Sequence, residues 1–538
     1  MIEFTVLPTS LTEPTGFTGA ALLRDDWNDF SFQTQYHLYV SVPEFKGRIG
    51  PMKILRRGQT ARDVPLLSPG PLSPLGEEWV SLGQDLDYYE RLAELPAHTR
   101  NDILLHLRDA LAYPDHAATF FEERGWLVSV LRYIEWETFS RDASNLLRRD
   151  FSQTPRSGLT LEFRMNGWHD PLVLNFGSPD GTLPQDENAD DLPNRIAVIV
   201  GRNASGKSTL LSRLARVLHA SQRQRTEQSL SSLGTISPEG IGFTRIVNVS
   251  YSAFDVFQIP GTDYPERKQI VEELERGTGR YHYCGLRDIA LEVRRAEGIG
   301  DIDGRPIQPI GPDRQESIIL KTNEALTSEF AATISGIRKS GREDLFCHAC
   351  RMLASDTSFG DFGVNLGVAV MNSPVDWFQG WSTGHKIVMH ITASLVAFTE
   401  PNSIVLIDEP ESHLHPPLLA ALMHAIRLIL RHNDAFAVVA THSPVVVQET
   451  LRRHVAVVRR TGTETRISSP RIETYGESIG EITNEIFGLT SDATDFHRTL
   501  SELVGKGLNL ESIEGYFDRG LSLQARAFVM SEIARRAG

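Results

Sequence analysis

The chain has 538 residues, of which 41% are hydrophobic and 23% are charged, and its net charge is −15. This composition is typical of a globular protein with two to four structural units, and the negative charge argues against a globally basic nucleic-acid binder. The sequence contains no run of about 18 apolar residues, so it predicts no membrane helix. The N-terminus lacks the pattern of a signal peptide. The three cysteines suit a reducing compartment. We therefore expect a cytoplasmic protein without a membrane partner.

Residues 1–158 predict an N-terminal α+β region. Apolar and polar residues alternate in places between residues 16 and 57, for example in YHLYVSV (residues 36–42), as in a half-buried antiparallel strand. Between residues 85 and 147, apolar residues recur at spacings of three and four, which predicts helices. The region carries no chemical motif, so we interpret it as a scaffold or an interaction surface.

A phosphate-binding loop is the clearest motif of the chain. The run IAVIV (residues 196–200) predicts a buried strand, and a helical pattern begins near Gly206. Between them, residues 201–208 (GRNASGKS) match G-x-x-x-x-G-K-[ST], in which backbone N–H groups wrap a polyphosphate, the lysine reaches the β- and γ-phosphates and the last hydroxyl holds Mg²⁺. The residues predicted to bind nucleotide here are Gly201, Arg202, Asn203, Ala204, Ser205, Gly206, Lys207, Ser208 and Thr209, and Ser208 is also a predicted metal ligand.

Two aromatic residues lie upstream of this loop. Residues 159–177 predict two strands that turn at Asn166 and Gly167, and they contain Trp168 and Phe176. Either aromatic ring could stack on adenine, but a place in the hydrophobic core is the commoner role of such a residue.

Residues 262–395 change from a mixed to a helical pattern, and we expect a helical lobe inserted into the nucleotide-binding domain. Two groups in or near this range could hold a metal ion. Acidic residues between glycines usually form a solvated loop, and a single Cys-x-x-Cys pair is only half of a convincing zinc site. The candidates are Asp301, Asp303 and Asp313 for the acidic loop, and Cys347, Cys350, Cys284 and His282 for zinc.

Two further strands end in residues that suit phosphate chemistry. Residues 403–410 (SIVLIDEP) predict a buried strand that places Asp408 at the carboxyl edge of the sheet, where it would bind Mg²⁺. Glu409 follows, and it could accept a proton from an attacking water. Residues 435–444 (AFAVVATHSP) predict a strand that ends at His442, which could sense the γ-phosphate and orient the water. Glu409 and His442 are the predicted catalytic residues.

A second device for binding anions is predicted upstream. Ser382 and Gly384 are small residues that precede a helical pattern, and the N-terminus of a helix attracts phosphate. We therefore add both residues to the predicted nucleotide-binding set.

The order of these four motifs resembles the ABC ATPase class. They correspond in turn to its Walker A, signature, Walker B and switch-histidine motifs, although Trp381, Thr383 and His385 depart from the common LSGGQ signature. The string ESHLHP (residues 411–416) is similar to the RecF/OLD-like AAA subgroup. Three segments, SLGQD (residues 81–85) with the following tyrosines, YSAFD (residues 251–255) and GESIG (residues 476–480), resemble antiphage ATPases of the PtuA (Septu) kind.

The resemblance implies a fold, cofactors and partners. It implies an ABC-type α/β ATPase with a mixed central sheet over residues 159–470, a helical lobe inserted at about 262–395, and a C-terminal helical extension over residues 471–538. ATP and Mg²⁺ would lie between the phosphate loop of one copy and Ser382 and Gly384 of a second copy. Asp255 and Gln258 are the nearest candidates for the glutamine that contacts Mg²⁺ in this class. The partner of such an ATPase is a separate HNH nuclease, and DNA is a further candidate.

Three alternatives stay open. A RecF-like DNA repair ATPase would bind DNA directly without a nuclease partner. A nuclease with its own metal site near Asp301 and Asp303 is a second alternative, although no Asp-x-Asp cluster follows His442. A transporter subunit is the weakest of the three, because the long N-terminal region has no counterpart there.

Overall fold

The computed structural model describes residues 2–10, 13–61, 67–151, 159–177, 192–298, 309–310, 313–315, 318–360, 365–462, 464–487 and 495–537. Within these residues the chain forms a mixed α/β structure with several sheets and many helices. The fold class predicted from the sequence is therefore confirmed. No helix in the described ranges is long and apolar enough to cross a membrane.

A six-stranded sheet forms the N-terminal region, in the order β5-β1-β2-β3-β4-β6. β1 and β2 pair in parallel and the other neighbours are antiparallel. The strands are β1 (Phe4–Leu7), β2 (Gly19–Arg24), β3 (Gln35–Val42), β4 (Phe45–Arg56), β5 (Gly70–Pro71) and β6 (Trp79–Gly83). Helices follow the sheet, and they are α1 (Leu86–Glu94), α2 (Ala97–His106), α3 (Pro114–Ala118), a π-helical turn (Trp126–Val130) and α4 (Trp136–Arg148).

A seven-stranded sheet forms the centre of the molecule, in the order β12-β11-β15-β16-β9-β17-β18. All neighbours pair in parallel except β17 and β18. The strands are β9 (Ile196–Val200), β11 (Ile246–Ser250), β12 (Tyr281–Gly285), β15 (Ile404–Asp408), β16 (Phe436–Thr441), β17 (Val455–Thr461) and β18 (Glu464–Ser468). Because parallel strands end at the same edge, the residues that follow β9, β15 and β16 are brought together.

Side chains of the central strands alternate between two hydrophobic cores. Ile196, Val198 and Val200 of β9 lie in one core, whereas Ala197 and Ile199 lie in the other. The second core is closed by a three-stranded antiparallel sheet, which comprises β7 (Leu159–Met165), β8 (Leu172–Phe176) and β10 (Gly234–Ser237). Both faces of the central sheet are thus covered, as its continuous apolar strands require.

Helices cover both faces of the central sheet. The helices between β9 and β12 are α5 (Lys207–His219), α6 (Gln222–Thr226), α7 (Gln228–Ser231) and α8 (Tyr264–Arg276). Those between β12 and β15 are α9 (Ile289–Gly298), α10 (Asn323–Lys339), α11 (Glu343–Leu353), α12 (Thr357–Gly360), α13 (Leu366–Asn372), α14 (Pro374–Gly380) and α15 (Thr383–Phe398). The later helices are α16 (Pro416–His432), α17 (Pro444–Gln448), α18 (Ile479–Phe487), α19 (Asp495–Gly505), α20 (Leu510–Glu514) and α21 (Leu523–Ala537), and β13 (Pro309–Ile310) pairs with β14 (Arg314–Gln315).

The range expected to form a helical lobe, residues 262–395, is not helical throughout. Its strand β12 pairs with β11 and forms one edge of the central sheet. The residues of β12 (YHYCG) are all buried, and the aromatic side chains suit a strand between two cores. Helices α8 and α9 flank this strand and α10 to α15 follow it, so the range is largely helical but contributes one strand to the central sheet.

Helix α1 joins the N-terminal region to the central domain through buried ion pairs. Asp87 lies 3.0 Å from Arg280, Glu90 lies 2.8 Å from Arg245, and Arg91 lies 2.6 Å from Glu273. Burial opposes ionisation of Asp87, but Arg280 and its neighbours lower the pKa of this carboxyl to about 2. The carboxylate is therefore charged, and its position depends on Arg280.

Candidate nucleotide-binding site

The phosphate loop connects β9 to α5 in a shape that requires glycine at two positions. A side chain at Gly201 would place its Cβ 2.5 Å from the carbonyl oxygen of Val458. Gly206 has a φ of +97°, and a Cβ there would lie 3.0 Å from Cζ2 of Trp168. The backbone can therefore turn tightly around a ligand, and the hydroxyl of Ser205 is buried without a hydrogen-bond partner in the described part of the chain.

Lys207 points back into this loop. Its Nζ donates to the carbonyl oxygens of Gly201 (3.0 Å) and Arg202 (3.3 Å). Burial lowers the pKa of the Lys207 ammonium, while the carboxylates of Glu409 and Asp408 oppose this shift. The ammonium group thus lies inside the loop, where a polyphosphate would compete for it.

Ser208 and Asp408 face each other at the carboxyl edge of the central sheet. The hydroxyl of Ser208 donates to Oδ1 of Asp408 at 3.1 Å. Burial raises the pKa of Asp408 to about 7, the bond from Ser208 opposes this shift, and the charges of Glu409 and Asp255 add to it. A hydroxyl and a buried carboxylate are oxygen donors that Mg²⁺ accepts, so these two residues fit the ion that the sequence predicted.

Glu409 and His442 meet beside this pair. Glu409 follows β15 with a φ of +48°, and its backbone N–H donates to the carbonyl oxygen of Ala440 in β16. Its Oε1 lies 3.6 Å from Nδ1 of His442. Both side chains are partly exposed, so a substrate and a water molecule can reach them.

Glu411 holds His442 in place, and the sequence analysis gave this residue no role. Its Oε1 accepts from the hydroxyl of Thr441 (2.8 Å) and the backbone N–H of His442 (2.7 Å), and it lies 3.0 Å from Nδ1 of His442. The signal in the sequence was a second glutamate two residues after Glu409, which the resemblance to a family motif did not explain.

The two candidates for a glutamine that contacts Mg²⁺ both line the cleft that contains Ser208 and Asp408. Asp255 is held by Arg287 at 3.4 Å and accepts from the hydroxyl of Tyr283 at 3.4 Å. Because Asp255 is anchored in this way, Gln258 is the candidate with more freedom to meet an incoming group.

Ser382 and Gly384 lie at the start of α15. Ser382 caps α15 by accepting from the backbone N–H of His385. Gly384 does not precede the helix, as the sequence predicted, but lies in its first turn, where a Cβ would be 3.2 Å from the carbonyl oxygen of His413. Among the described residues around the two cavities beside the phosphate loop, neither of these residues appears.

The two aromatic residues that could stack on adenine, Trp168 and Phe176, differ in burial. Trp168 is partly exposed next to Gly206 and keeps a surface that a base could use. Phe176 is fully buried against Phe436, with ring centroids 5.0 Å apart, which is the core position that the sequence favoured over stacking on adenine.

The alternative metal sites gain no support from the described residues. Asp301 and Asp303 lie outside these residues, and Asp313 forms an ion pair with Arg213 at 2.7 Å. Cys347 and Cys350 lie on α11, and in the described ranges no group of three or more histidines, cysteines and acidic residues could hold a metal ion.

The chain is similar to known ATPases and to one phage protein. Residues 371–448 match the family described as "AAA domain, putative AbiEii toxin, Type IV TA system". This segment contains Asp408, Glu409 and His442, whose geometry is described above. Residues 371–448 are therefore similar to an AAA ATPase domain.

Over its full length the chain is 28% identical to Protein ea59 of Escherichia phage lambda, with 99% of that protein covered. Among solved structures it is similar to an ATP-binding cassette of an ABC transporter in its ADP conformation (13% identity, TM-score 0.26, 60% of this chain and 93% of that one). It is also similar to an SMC head bound to the C-terminal winged-helix domain of ScpA (13% identity, TM-score 0.27, 58% and 97%). TM-scores below 0.5 do not establish a shared fold.

Proposed function

We propose that this chain binds ATP with Mg²⁺ and hydrolyses it, and that the nucleotide state controls a separate nuclease in a bacterial antiphage system. The observation that carries the ATPase part is the convergence of Lys207, Ser208, Asp408, Glu409 and His442 at one edge of the central sheet. Mg²⁺, when bound by Ser208 and Asp408, would neutralise charge on the phosphates.

Glu409 is the general base in this proposal. Glu409 directly follows Asp408 in the chain, and its carboxylate is partly exposed. It can therefore accept a proton from a water molecule aimed at the γ-phosphate. The imidazole of His442 would then form a hydrogen bond with the oxygen atoms that gain negative charge.

Glu411 positions His442. The N–H at Nδ1 of His442 would donate a hydrogen bond to the carboxylate of Glu411. Nε2, on the other side of the ring, would then face the phosphate. The carboxylate thus selects the orientation of the imidazole rather than touching the substrate itself.

A second copy would complete the site. Ser382 and Gly384 line neither of the two cavities beside the phosphate loop of their own chain, which supports a head-to-tail dimer in which they face the nucleotide of the partner copy. Closure that depends on the γ-phosphate would make the dimer a two-state switch.

The proposed biological role is argued from the proteins that the chain resembles. The family description of residues 371–448 mentions a toxin–antitoxin system, and the relative at 28% identity is a phage protein. Both support a role in the conflict between phage and host, and the resemblance to Septu ATPases suggests an HNH nuclease as the controlled partner.

The test measures phosphate release and oligomeric state of the purified chain. We expect wild-type protein to release phosphate from ATP and to dimerise with it, Lys207→Ala to lose nucleotide binding, and Glu409→Gln to bind ATP and stay dimeric while hydrolysis falls about 100-fold or more. The chain alone should leave plasmid DNA intact. Hydrolysis at the wild-type rate in both variants, or plasmid cleavage by the chain alone, would contradict the proposal.

A further inference from the structure

The antiparallel pair β17–β18, here named the arginine hairpin (Val455–Thr461 and Glu464–Ser468), carries positive charge on an acidic protein. Residues 452–471 include six arginines and a single acidic residue, Glu464, while the whole chain has a net charge of −15. All six arginines are exposed. Such a concentration of charge on one edge of the sheet attracts anions.

The charge adjoins a large cavity. Residues 201–205 of the phosphate loop, residues 458–462 of the hairpin and residues 485–487 of α18 enclose a space of about 650 Å³. Arg459 and Arg460 form the hairpin side of this wall. The volume is within the range of ordinary ligand sites, and the lining of this cavity shares no residue with that of the Ser208–Asp408 cleft.

Two of the six arginines serve the fold. Arg452 donates to the carbonyl oxygen of Pro470 (2.7 Å), and Arg453 donates to Oδ1 of Asn194 (2.7 Å). These bonds join the ends of neighbouring segments, so both guanidinium groups have a structural explanation.

The hairpin arginines have a weaker structural explanation. Arg459 pairs directly across the strands with Arg466, an arrangement of like charges that destabilises a hairpin. Arg459 donates to the hydroxyl of Ser468 (2.9 Å) and to the carbonyl oxygen of Glu485, and Arg460 donates to the carbonyl oxygen of Gly462. The acceptors of Arg459 and Arg460 are neutral and leave the charge of both residues in place. Arg466 pairs with Glu464 at 2.8 Å, and because both side chains are exposed this pair is worth little in water.

The nature of the side chains indicates what the surface binds. The cations of the hairpin are all arginines, whose planar guanidinium groups bind phosphate through two parallel hydrogen bonds. Hydroxyls of Thr461 and Ser468 accompany them, and arginine together with serine and threonine is the usual set that contacts nucleic-acid backbones.

We propose that the arginine hairpin and the adjoining cavity bind the phosphodiester backbone of a nucleic acid. Arg459 and Arg460 of β17 and Arg466 of β18 contact the phosphates, and β18 is the edge strand of the sheet. The site goes beyond the proposed function, because the contact requires neither bound ATP nor hydrolysis.

The test measures fluorescence anisotropy of fluorescein-labelled 30-base-pair DNA with the full chain and without nucleotide, between 50 and 200 mM salt. Arms with the single strand and with duplex RNA identify the form that binds. We expect Arg460→Ala/Arg466→Ala to weaken binding at least tenfold and to reduce the slope of log K against log salt by about two. The matched control is Arg498→Ala/Arg526→Ala, which removes two exposed arginines from α19 and α21 and should bind like the wild type.

Wild-type protein that binds none of the three nucleic acids, or an equal loss in the variant and the control, would overturn the proposal. Competition by polyglutamate as strong as that by DNA of equal charge would also overturn it.

Phosphate release is measured on the same samples. Lost DNA binding with normal hydrolysis supports the site, whereas absent hydrolysis with normal DNA binding counts against the proposed ATPase alone.

Discussion

A single carboxylate oxygen connects β16 to the segment after β15. Oε1 of Glu411 accepts from the side chain of Thr441 and from the backbone of His442, and it lies beside Nδ1 of the same histidine. The other oxygen, Oε2, is buried without a hydrogen-bond partner in the described part of the chain. Removing the charge of this residue therefore changes the orientation of His442 more than it changes packing.

We expect Glu411→Gln to lower the rate of ATP hydrolysis at least about tenfold while ATP still binds, because a neutral amide oxygen accepts these bonds more weakly than a carboxylate and holds the histidine ring less firmly. Phosphate release and binding of a fluorescent ATP analogue give the two quantities. Glu449→Gln is the matched control, since Glu449 pairs with His424 at 3.2 Å away from the site. Equal rates for Glu411→Gln and wild type would refute the positioning role.

Asp109 is a buried carboxyl group that makes the stability of the N-terminal region depend on pH. Its carboxylate accepts from the hydroxyl of Tyr89 and from the backbone N–H of Leu111. Burial raises the pKa of Asp109 to about 6 from an ordinary value of 3.8, and these bonds oppose the shift. A raised carboxyl pKa means that stability is full below pH 3.8 and falls as the pH rises through 6.

We therefore expect Asp109→Asn to gain stability relative to wild type between pH 4 and pH 7, by at most about 3 kcal/mol. Thermal melting across this range measures the difference. Asp115→Asn, an exposed carboxylate on α3, should follow the wild-type curve at every pH. A constant difference between Asp109→Asn and wild type would show that Asp109 does not titrate in this window.

At the scale of elements, two helical glycines give opposite expectations. A Cβ at Gly336 in α10 would meet no atom within 4 Å, whereas a Cβ at Gly367 in α13 would lie 2.8 Å from Cα of Cys347 in α11. We expect Gly336→Ala to stabilise the protein by about 0.5–1 kcal/mol, because alanine loses less backbone entropy in a helix. Gly367→Ala should destabilise it, because the backbones of two helices must separate.

Urea denaturation of both glycine variants, compared with wild type, measures these changes. An increase in stability for Gly367→Ala would mean that α13 can move away from α11 without cost. A loss of stability for Gly336→Ala would contradict the open surroundings of that position.

The sequence predicted the strands of the site better than its surroundings. The buried runs that became β9, β15 and β16 are short, apolar and followed by motif residues, so their position and their common edge could be inferred from local pattern alone. β12 was missed, because YHYCG has no alternation and its burial comes from pairing with β11, a contact between distant segments.

Side-chain partners were harder to predict than strand positions. Lys207, Ser208 and Asp408 could be assigned roles from spacing, but the contact of Glu411 with His442 depends on how two loops pass each other at the sheet edge. Gly384 was placed before its helix because Ser382, the actual cap, does not differ in pattern from its neighbours. Phe176 and Trp168 looked alike in sequence and separated only through burial.

At the scale of the whole molecule, buried ion pairs join the N-terminal region to the central domain. Arg280 is almost fully buried, and it donates to Asp87 (3.0 Å), to the carbonyl oxygen of Phe243 and to that of His219. It thus joins α1 to both β12 and α5. Removing one partner of such a buried ion pair leaves an uncompensated charge.

We expect Arg280→Ala to destabilise the protein by about 3–5 kcal/mol, visible as a lower melting temperature and a lower urea midpoint. Arg498→Ala, which removes an exposed pair with Glu502, should cost less than about 1 kcal/mol. A change of similar size in both variants would mean that the junction between α1 and the central domain contributes little.

The strand order also has a consequence for biosynthesis. In the described residues of the central sheet, β9 pairs only with β16 and β17, which begin at Phe436 and Val455. The N-terminal sheet is complete at Gly83, so a growing chain on the ribosome can fold that region first. The strand before the phosphate loop must then wait with both edges exposed until most of the protein has been synthesised. A nascent chain that stops before β16 contains the whole loop sequence but lacks both strands that pair with β9.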